Sequence, residues 1–231
     1  MSHKPPYPRW RHWMSFIKDQ TLEATEGEHT DYLAVILRQG KLLLQANSAI
    51  YSWEDNYYNF RTAFEQLDWD RLQGDETLLL GLGLGSVPQM IEELFGYRLH
   101  YTALEYDGVI AELAEEYLLH RLESPIETIV ADAEVFMAQN LRTFDFLLID
   151  LFVDDAVPTQ FDSIEFLESL RDAMNEGACL ITNRLAYTEN DREASEAYYS
   201  EVFLKVFPKG CLVDVESNLM MFSDKWFLLE Q

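Results

Sequence analysis

The sequence is poor in cysteine, which limits both covalent cross-linking and metal binding. Its 231 residues include two cysteines, Cys179 and Cys211, and each lies in an apolar run typical of a strand. Neither has a histidine or a second cysteine at the spacing that zinc sites use. We therefore interpret both as small buried hydrophobic residues and expect no metal site built on them.

Basic residues are also scarce. The chain has 17 Lys and Arg against 41 Asp and Glu, a formal net charge of −24. Residues 1–18 hold four of the basic residues and no acid, so the remainder has 13 basic against 41 acidic residues, a charge of −28. So negative a surface repels phosphate backbones and anionic membranes, which argues against nucleic-acid and membrane partners. It would attract a cationic substrate, although a generally acidic surface that aids solubility is the simpler explanation.

Long apolar runs are absent as well. No stretch is long enough to cross a bilayer, and residues 1–18 are interrupted by prolines and charges where a signal peptide would have an apolar segment. Hydrophobic residues make up 48% of the sequence and charged residues 25%, which is typical of a globular protein. We expect a cytoplasmic protein with a substantial core.

Glycine is infrequent, yet three of the ten glycines fall within five residues. Gly81, Gly83 and Gly85 directly follow the apolar run 77–80, and Ser86 can cap a helix behind them. This pattern predicts a strand, a glycine loop and a helix. Glycine suits such a loop because the chain reverses sharply and its backbone can approach a ligand without a Cβ in the way.

Acidic residues end the next three predicted strands. Glu105 follows Gly81 by 24 residues, close to the separation at which an acid on the second strand of a βαβ unit binds the ribose hydroxyls. Asp132 and Asp150 end the following two strands. The carboxyl ends of parallel strands line one edge of a sheet, so these acids predict a binding site there. A solvated strand end or a charge at a helix N-terminus remains the alternative interpretation of Glu105.

The order of the predicted elements indicates an α/β fold. Two strands at residues 32–37 and 41–45 predict a hairpin near the N-terminus, and 23–31 reads as an acidic loop. We place a domain boundary in 68–76, which gives a short N-terminal β and arm region, 1–75, and a nucleoside-binding domain, 76–231. The second domain alternates strands and helices, including a fifth strand at 178–182 and a long helix at 191–207.

The chain ends with a predicted antiparallel hairpin. Two strand-like runs at 211–216 and 219–222 flank a tight turn that we place at Ser217-Asn218. By analogy of fold, a mostly parallel sheet closed by such a hairpin is typical of Rossmann-like S-adenosylmethionine-dependent transferases, whereas a nicotinamide-binding domain usually continues with βαβ units.

These motifs resemble the polyamine aminopropyltransferases, the spermidine synthase family. The similarity lies in 80–86, 103–107, 129–133 and 145–152, with a degenerate version of a further family segment at 51–59. The resemblance implies an enzyme that transfers an aminopropyl or related group from an S-adenosyl nucleoside, either S-adenosylmethionine or its decarboxylated form, to a small cationic amine.

The resemblance also implies a role for individual residues. Nucleoside contacts are implied for six residues and contacts with the amine for three more; the two sets are Gly81, Gly83, Gly85, Glu105, Asp132 and Ala133, and Tyr58, Asp154 and Asp155. Asp150 is implied as the acid that accepts a proton from the attacking amine. An alkylamine with a pKa of ~10.4 is protonated at neutral pH and cannot attack before a base removes a proton. Because the leaving thioether is neutral, the reaction requires no metal.

Two departures from the family pattern weaken the implied activity. Leu84 stands where the family has an aspartate that binds the aminopropyl ammonium, and Asn59 stands in place of a histidine. We therefore expect the nucleoside to bind and spermidine synthesis to be weak or absent. A small-molecule methyltransferase and a catalytically silent nucleoside-binding or oligomerisation protein of the same fold remain open as alternatives.

The N-terminal segment predicts self-association. Trp10, Trp13 and Phe16 lie in a basic stretch, and with the first hairpin they form a unit too small to bury its own apolar surface. We expect a homodimer.

Overall fold

The N-terminal part of the chain folds into an antiparallel sheet. The computed structural model describes residues 6–47, 49–152 and 158–230. The elements of this part are α1 (Arg9–Met14), β1 (Gln20–Thr25), β2 (Leu33–Arg38), β3 (Lys41–Ala46) and β4 (Ala49–Ser52). The strands pair in the order β1-β2-β3-β4. The predicted hairpin is confirmed as β2 and β3, joined at Gln39 and Gly40, whose φ angles of 52° and 81° suit a two-residue turn.

The expectation of a loop over residues 23–31 is wrong at its beginning. Residues 23–25 belong to β1, which pairs antiparallel with β2 at the edge of the sheet. An edge strand needs few apolar residues, so its sequence does not alternate clearly. Glu23 is not simply solvated, because its carboxylate accepts a hydrogen bond of 2.8 Å from the Tyr117 hydroxyl.

The rest of the chain builds a seven-stranded α/β sheet. Its helices and strands are α2 (Tyr58–Gln66), β5 (Glu76–Leu80), α3 (Ser86–Glu93), β6 (His100–Glu105), α4 (Gly108–Tyr117), β7 (Ile126–Val130), α5 (Ala133–Gln139), β8 (Phe144–Ile149), α6 (Ile164–Asp172), β9 (Met174–Leu185), α7 (Glu189–Tyr198), α8 (Leu204–Val206), β10 (Cys211–Val215) and β11 (Asn218–Phe222). The strand order is β10-β11-β9-β8-β5-β6-β7. Strands β5 to β9 are parallel, and β10 and β11 form the antiparallel hairpin, which confirms the predicted fold class.

Helices cover both faces of this sheet. On one face, α2 and α3 pack over Leu79 and Leu148. On the other, α5, α6 and α8 pack over Leu80 and Leu147. Neighbouring residues of a strand point to opposite faces of the sheet. Because helices cover both faces, residues on either side of a strand are mostly apolar, and the strands appear in the sequence as continuous apolar runs. The boundary at residue 75 stays a prediction, and α2, which it assigns to the N-terminal part, packs into the core of the larger sheet.

Three C-terminal elements differ from the prediction. Strand β9 extends to Leu185, three residues beyond the predicted end, because β11 pairs along that whole segment. The hairpin turn lies at Glu216 and Ser217, since Val215 pairs with Asn218; Glu216 has a φ of 49°. The predicted helix over 191–207 begins earlier, at Glu189, and is interrupted by a π-helical turn at Tyr199–Phe203 before α8.

Candidate functional site

A cavity of 530 Å³ opens at the carboxyl ends of the parallel strands. The strand order reverses between β5 and β8, and ligands of open α/β sheets bind at such a switch point. The lining includes Gly81 after β5, Glu105 at the end of β6 and Asp150 after β8. Residues 49–51 of β4 also contribute, so the N-terminal sheet forms one side of the cavity.

The glycine loop has the backbone conformation that requires glycine. Gly81, Gly83 and Gly85 have φ angles of 91°, 53° and 94°. A Cβ on Gly81 would overlap the backbone oxygen of Asp150, so a side chain here would separate β5 from β8. Gly81 and Gly83 line the cavity. Gly85 does not; a Cβ there would meet Leu119, so its place in the fold is a packing position.

All three glycine N–H groups are already hydrogen-bonded within the protein. Gly81 donates to the carbonyl of Leu104 at 3.0 Å and Gly85 to that of Leu82 at 3.0 Å. The N–H of Gly83 donates to Oε2 of Glu105 at 2.9 Å. None of these three groups is therefore available to bind an anionic part of a ligand.

Glu105 connects the glycine loop to the end of β6. Besides the bond from Gly83, its Oε1 accepts from the N–H groups of Tyr106 at 2.8 Å and Asp107 at 3.2 Å. Burial raises the pKa of the Glu105 carboxyl above its ordinary value, while the bonds from the backbone oppose that rise. Each carboxylate oxygen has two lone-pair sites, so Oε1 is fully used and Oε2 can still accept one hydrogen bond from a ligand hydroxyl.

Asp132 and Ala133 lie on the opposite side of the cavity, at the start of α5. Oδ1 of Asp132 caps the helix by accepting from the N–H groups of Glu134 at 2.9 Å and Val135 at 3.1 Å. Its Oδ2 is 3.4 Å from Nε2 of Gln160. Both predicted residues line the cavity, with Asp132 holding one oxygen beside Gln160.

Both carboxylate oxygens of Asp150 accept hydrogen bonds from neighbouring side chains. Its Oδ2 accepts a hydrogen bond of 2.8 Å from the Tyr57 hydroxyl, and its Oδ1 accepts one of 2.9 Å from Nδ2 of Asn183. Burial raises the pKa of the Asp150 carboxyl to about 6, and the negative charge of Glu105 adds to the rise. The two neutral donors act in the opposite direction. Asp150 therefore stays ionised at neutral pH while titrating close to it.

The structure corrects two predicted contacts, because Gly85 and Tyr58 both lie outside the cavity lining. Tyr58 is 55% exposed and is not among the residues that line the cavity. The preceding residue, Tyr57, does line the cavity, and its hydroxyl donates to Asp150. Tyr57 lies between the short helix at Glu54–Asn56 and the start of α2. The predicted contacts Asp154 and Asp155 lie outside the described residues.

The two departures from the family pattern occupy different places. Leu84 is 1% exposed and packs into the core beneath the N-terminal sheet, away from the cavity lining. Asn59 lines the cavity, and its Oδ1 accepts a hydrogen bond of 2.8 Å from the N–H of Phe60.

Two asparagines of the site were not predicted from the sequence. Asn183 and Asn218 line the cavity, and Nδ2 of Asn218 donates to Oδ1 of Asn183 at 2.9 Å. Asn183 lies near the carboxyl end of a parallel strand, a position that could have identified it. The predicted strand ends at residue 182, one residue before Asn183, so the prediction left Asn183 outside the strand. Asn218 was interpreted only as a turn residue.

The described part of the chain contains one cluster with the geometry to hold a metal ion. Ligand atoms of Asp75, Glu76 and His100 lie within 4.8 Å of one another, and all three side chains are exposed. They sit at the amino ends of β5 and β6, the edge of the sheet opposite the cavity. Among the helices of the same described ranges, none has the length and apolarity of a membrane span.

Comparison with known proteins confirms the resemblance predicted from the sequence. No family model matches the chain. Over 136 residues it is 26% identical to a probable polyamine aminopropyl transferase from Bifidobacterium longum, and over 132 residues 27% identical to a polyamine aminopropyltransferase from Vibrio vulnificus. These matches cover 59% and 56% of this chain but 30% and 44% of the relatives, so the chain spans less than half the length of the curated relatives it matches.

Solved structures agree in fold. A spermidine synthase in complex with the transition-state analogue AdoDATO matches with a TM-score of 0.69 at 15% identity, over 90% of this chain and 74% of that one. Human methyltransferase-like protein 13 in complex with SAH matches with a TM-score of 0.56 at 19% identity, over 70% of this chain and 77% of that one. The chain is spermidine synthase-like and has a methyltransferase-like fold.

Proposed function

We propose that this chain binds a cationic S-adenosyl nucleoside and transfers an aminopropyl or related group from it to an amine. One observation carries the proposal: the described residues that line the cavity include three carboxylates, Glu105, Asp132 and Asp150, and no Lys, Arg or His. Such a lining favours positively charged ligands, because every carboxylate in a partly desolvated cavity is stabilised by an opposite charge.

The nucleoside fits the end of the cavity formed by the glycine loop. Gly81 and Gly83 present backbone without side chains, and Oε2 of Glu105 offers its free lone pair to a ribose hydroxyl. The adenine then lies toward Asp132 and Ala133, where Gln160 and one oxygen of Asp132 supply polar partners.

The same loop argues for a donor without a carboxylate. S-adenosylmethionine carries a carboxylate that needs N–H donors or a cation. The glycine N–H groups are all occupied, and no basic side chain is present among the described lining residues. Decarboxylated S-adenosylmethionine carries only positive charges, so the cavity favours it. This charge preference distinguishes aminopropyl transfer from methyl transfer, the second reaction that the fold supports.

Asp150 is suited to activate the acceptor. Its carboxylate first pairs with the acceptor ammonium and takes one proton, which leaves a neutral amine. The amine nitrogen forms a bond to the carbon attached to the sulfonium, the carbon–sulfur bond breaks, and the electron pair stays on the neutral thioether. The positive charge of the sulfonium ends on the new ammonium. The Tyr57 hydroxyl and the Asn183 amide hold the carboxylate in place throughout.

An assay with two donors and a panel of amines tests the proposal. Purified protein is incubated with decarboxylated S-adenosylmethionine or S-adenosylmethionine, and the thioether product is measured. We expect methylthioadenosine from the decarboxylated donor, loss of its formation in Asp150→Asn, and nucleoside binding retained in that variant. Formation of S-adenosylhomocysteine would instead identify a methyltransferase. Nucleoside binding without turnover of either donor would identify a catalytically silent protein.

A further inference from the structure

A chain of three side chains leads from the C-terminal hairpin to the carboxylate of Asp150. Nδ2 of Asn218 donates to Oδ1 of Asn183 at 2.9 Å, and Nδ2 of Asn183 donates to Oδ1 of Asp150 at 2.9 Å. Asn183 is 2% exposed, so its amide has little water with which to exchange these partners. Asn218 sits at the first position of β11, directly after the two-residue turn.

The direction of this chain has a physical consequence. A carboxamide has one donor end and one acceptor end, so binding one end decides which group the other end presents. Because Asn218 donates to Oδ1 of Asn183, the Nδ2 group of Asn183 must face Asp150. If the amide of Asn183 turned over, its carbonyl oxygen would face the carboxylate, and a favourable bond to a charged acceptor would become a repulsion.

We propose that Asn218 is a positioning residue that acts through Asn183, by keeping an N–H donor directed at the Asp150 carboxylate. The inference rests on the proposed function only in calling Asp150 the proton acceptor; the hydrogen-bond chain itself does not depend on it. Asn218 also lines the cavity, so a bound amine substrate would contact the same residue that orients the N–H group of Asn183 toward Asp150.

Two other groups act on the Asp150 carboxyl and must stay constant in any test. The Tyr57 hydroxyl donates to Oδ2, and the carboxylate of Glu105 repels the charged form. Neither is bonded to Asn218 in any contact described above. A change at Asn218 therefore acts first on the Asn183 amide, which donates to Asp150 and also interacts with the Tyr57 hydroxyl, and it leaves the Glu105 charge in place.

The test is a direct titration of the Asp150 carboxyl. Protein labelled with ¹³C at the aspartate carboxyl carbons is titrated by NMR, and the Asp150 signal is assigned by its absence in Asp150→Asn. In Asn218→Leu, which removes the donor without adding charge, we expect the midpoint to rise by roughly 0.5–1 unit, since one charge-assisted bond is weakened. Asn218→Asp, which has the same shape and accepts where asparagine donates, should raise it further. The control Asn140→Leu should not move it, because the side chain of Asn140 bonds only to the neighbouring Arg142 backbone and lies outside the cavity lining.

The pH dependence of transfer gives a second readout. The acidic limb of the kcat/KM profile should move to higher pH in Asn218→Leu by the same amount as the NMR midpoint. Unchanged NMR midpoints in both Asn218 variants would overturn the inference, even with an active enzyme. A shifted midpoint in a protein that transfers nothing would support the inference and reject the proposed function. If Asn218→Leu fails to fold, Asn218→Ala, which also removes the donor without adding charge, decides the question in the same way.

Discussion

At Asp150, the cost of burying a carboxylate makes stability depend on pH. Its pKa of about 6 in the folded protein exceeds the ~3.9 of an exposed aspartate. The folded state therefore binds the proton more tightly than the unfolded chain, and the stabilising contribution of this group is complete below pH ~4 and is lost as pH rises through about 6. Relative to the parent, Asp150→Asn should gain roughly 2–3 kcal/mol in free energy of unfolding between pH 4 and pH 8. Urea unfolding at both pH values measures this gain, and a difference that is constant with pH would show an unperturbed carboxyl.

Glu105 should determine nucleoside affinity. Hydrogen bonds to a charged group contribute ~1.5–3 kcal/mol, so Glu105→Ala should weaken methylthioadenosine binding roughly 10- to 100-fold. The loss has two sources, since the side chain offers one free lone pair to the ribose and also accepts the hydrogen bond from the N–H of Gly83. Glu127→Ala, on the neighbouring strand, is the control, because Glu127 is paired with Arg142 outside the cavity lining. Calorimetry that gave equal affinities for the parent and Glu105→Ala would remove Glu105 from the site.

At the level of structural elements, the glycine loop can be tested by comparing a substitution in it with a matched substitution at Gly96, which follows α3. Gly81 and Gly96 both have positive φ, 91° and 79°, so alanine strains the backbone at either position. A Cβ on Gly96 meets nothing within 4 Å, whereas one on Gly81 overlaps the backbone of Asp150. Gly96→Ala should therefore cost about 1–2 kcal/mol, and Gly81→Ala about 1–3 kcal/mol more. Thermal unfolding of both variants measures the difference; equal losses would mean that β5 and β8 are not held together as closely as described.

The sequence predicted most of the elements around this loop for a physical reason. Buried parallel strands are short apolar runs, and the end of each run marks the edge of the sheet, so the positions of Glu105, Asp132 and Asp150 could be predicted from the pattern of apolar runs. What could not be predicted depends on tertiary pairing. Strand β1 forms because β2 offers an edge, and β9 reaches Asn183 because β11 pairs along it. Which of the two tyrosines lines the cavity depends on the backbone path between the short helix at Glu54–Asn56 and α2. The sequence pattern does not predict that path, so Tyr58 was expected where Tyr57 lies.

At the scale of the whole molecule, we propose that the chain associates as a dimer through its N-terminal segment. Trp13 and Ile17 are 73% and 82% exposed beside basic residues, while the rest of the chain is strongly acidic. Light scattering at micromolar concentration should give twice the chain mass of 27.0 kDa. The double substitution Trp13→Ser and Ile17→Ser should shift the mass toward the monomer, and Leu141→Ser, which removes an even more exposed apolar residue elsewhere, should not. A parent mass near that of one chain would contradict the proposal.

We propose above that the cavity preferentially binds a nucleoside that carries positive charge and no carboxylate. Calorimetric titration with decarboxylated S-adenosylmethionine and with S-adenosylmethionine, under identical conditions, tests it most directly. We expect the decarboxylated compound to bind at least about tenfold more tightly, a difference of ~1.4 kcal/mol, because the carboxylate of the other ligand enters a cavity whose glycine N–H groups are occupied. Equal affinities, tighter binding of S-adenosylmethionine, or no binding of either compound would contradict it.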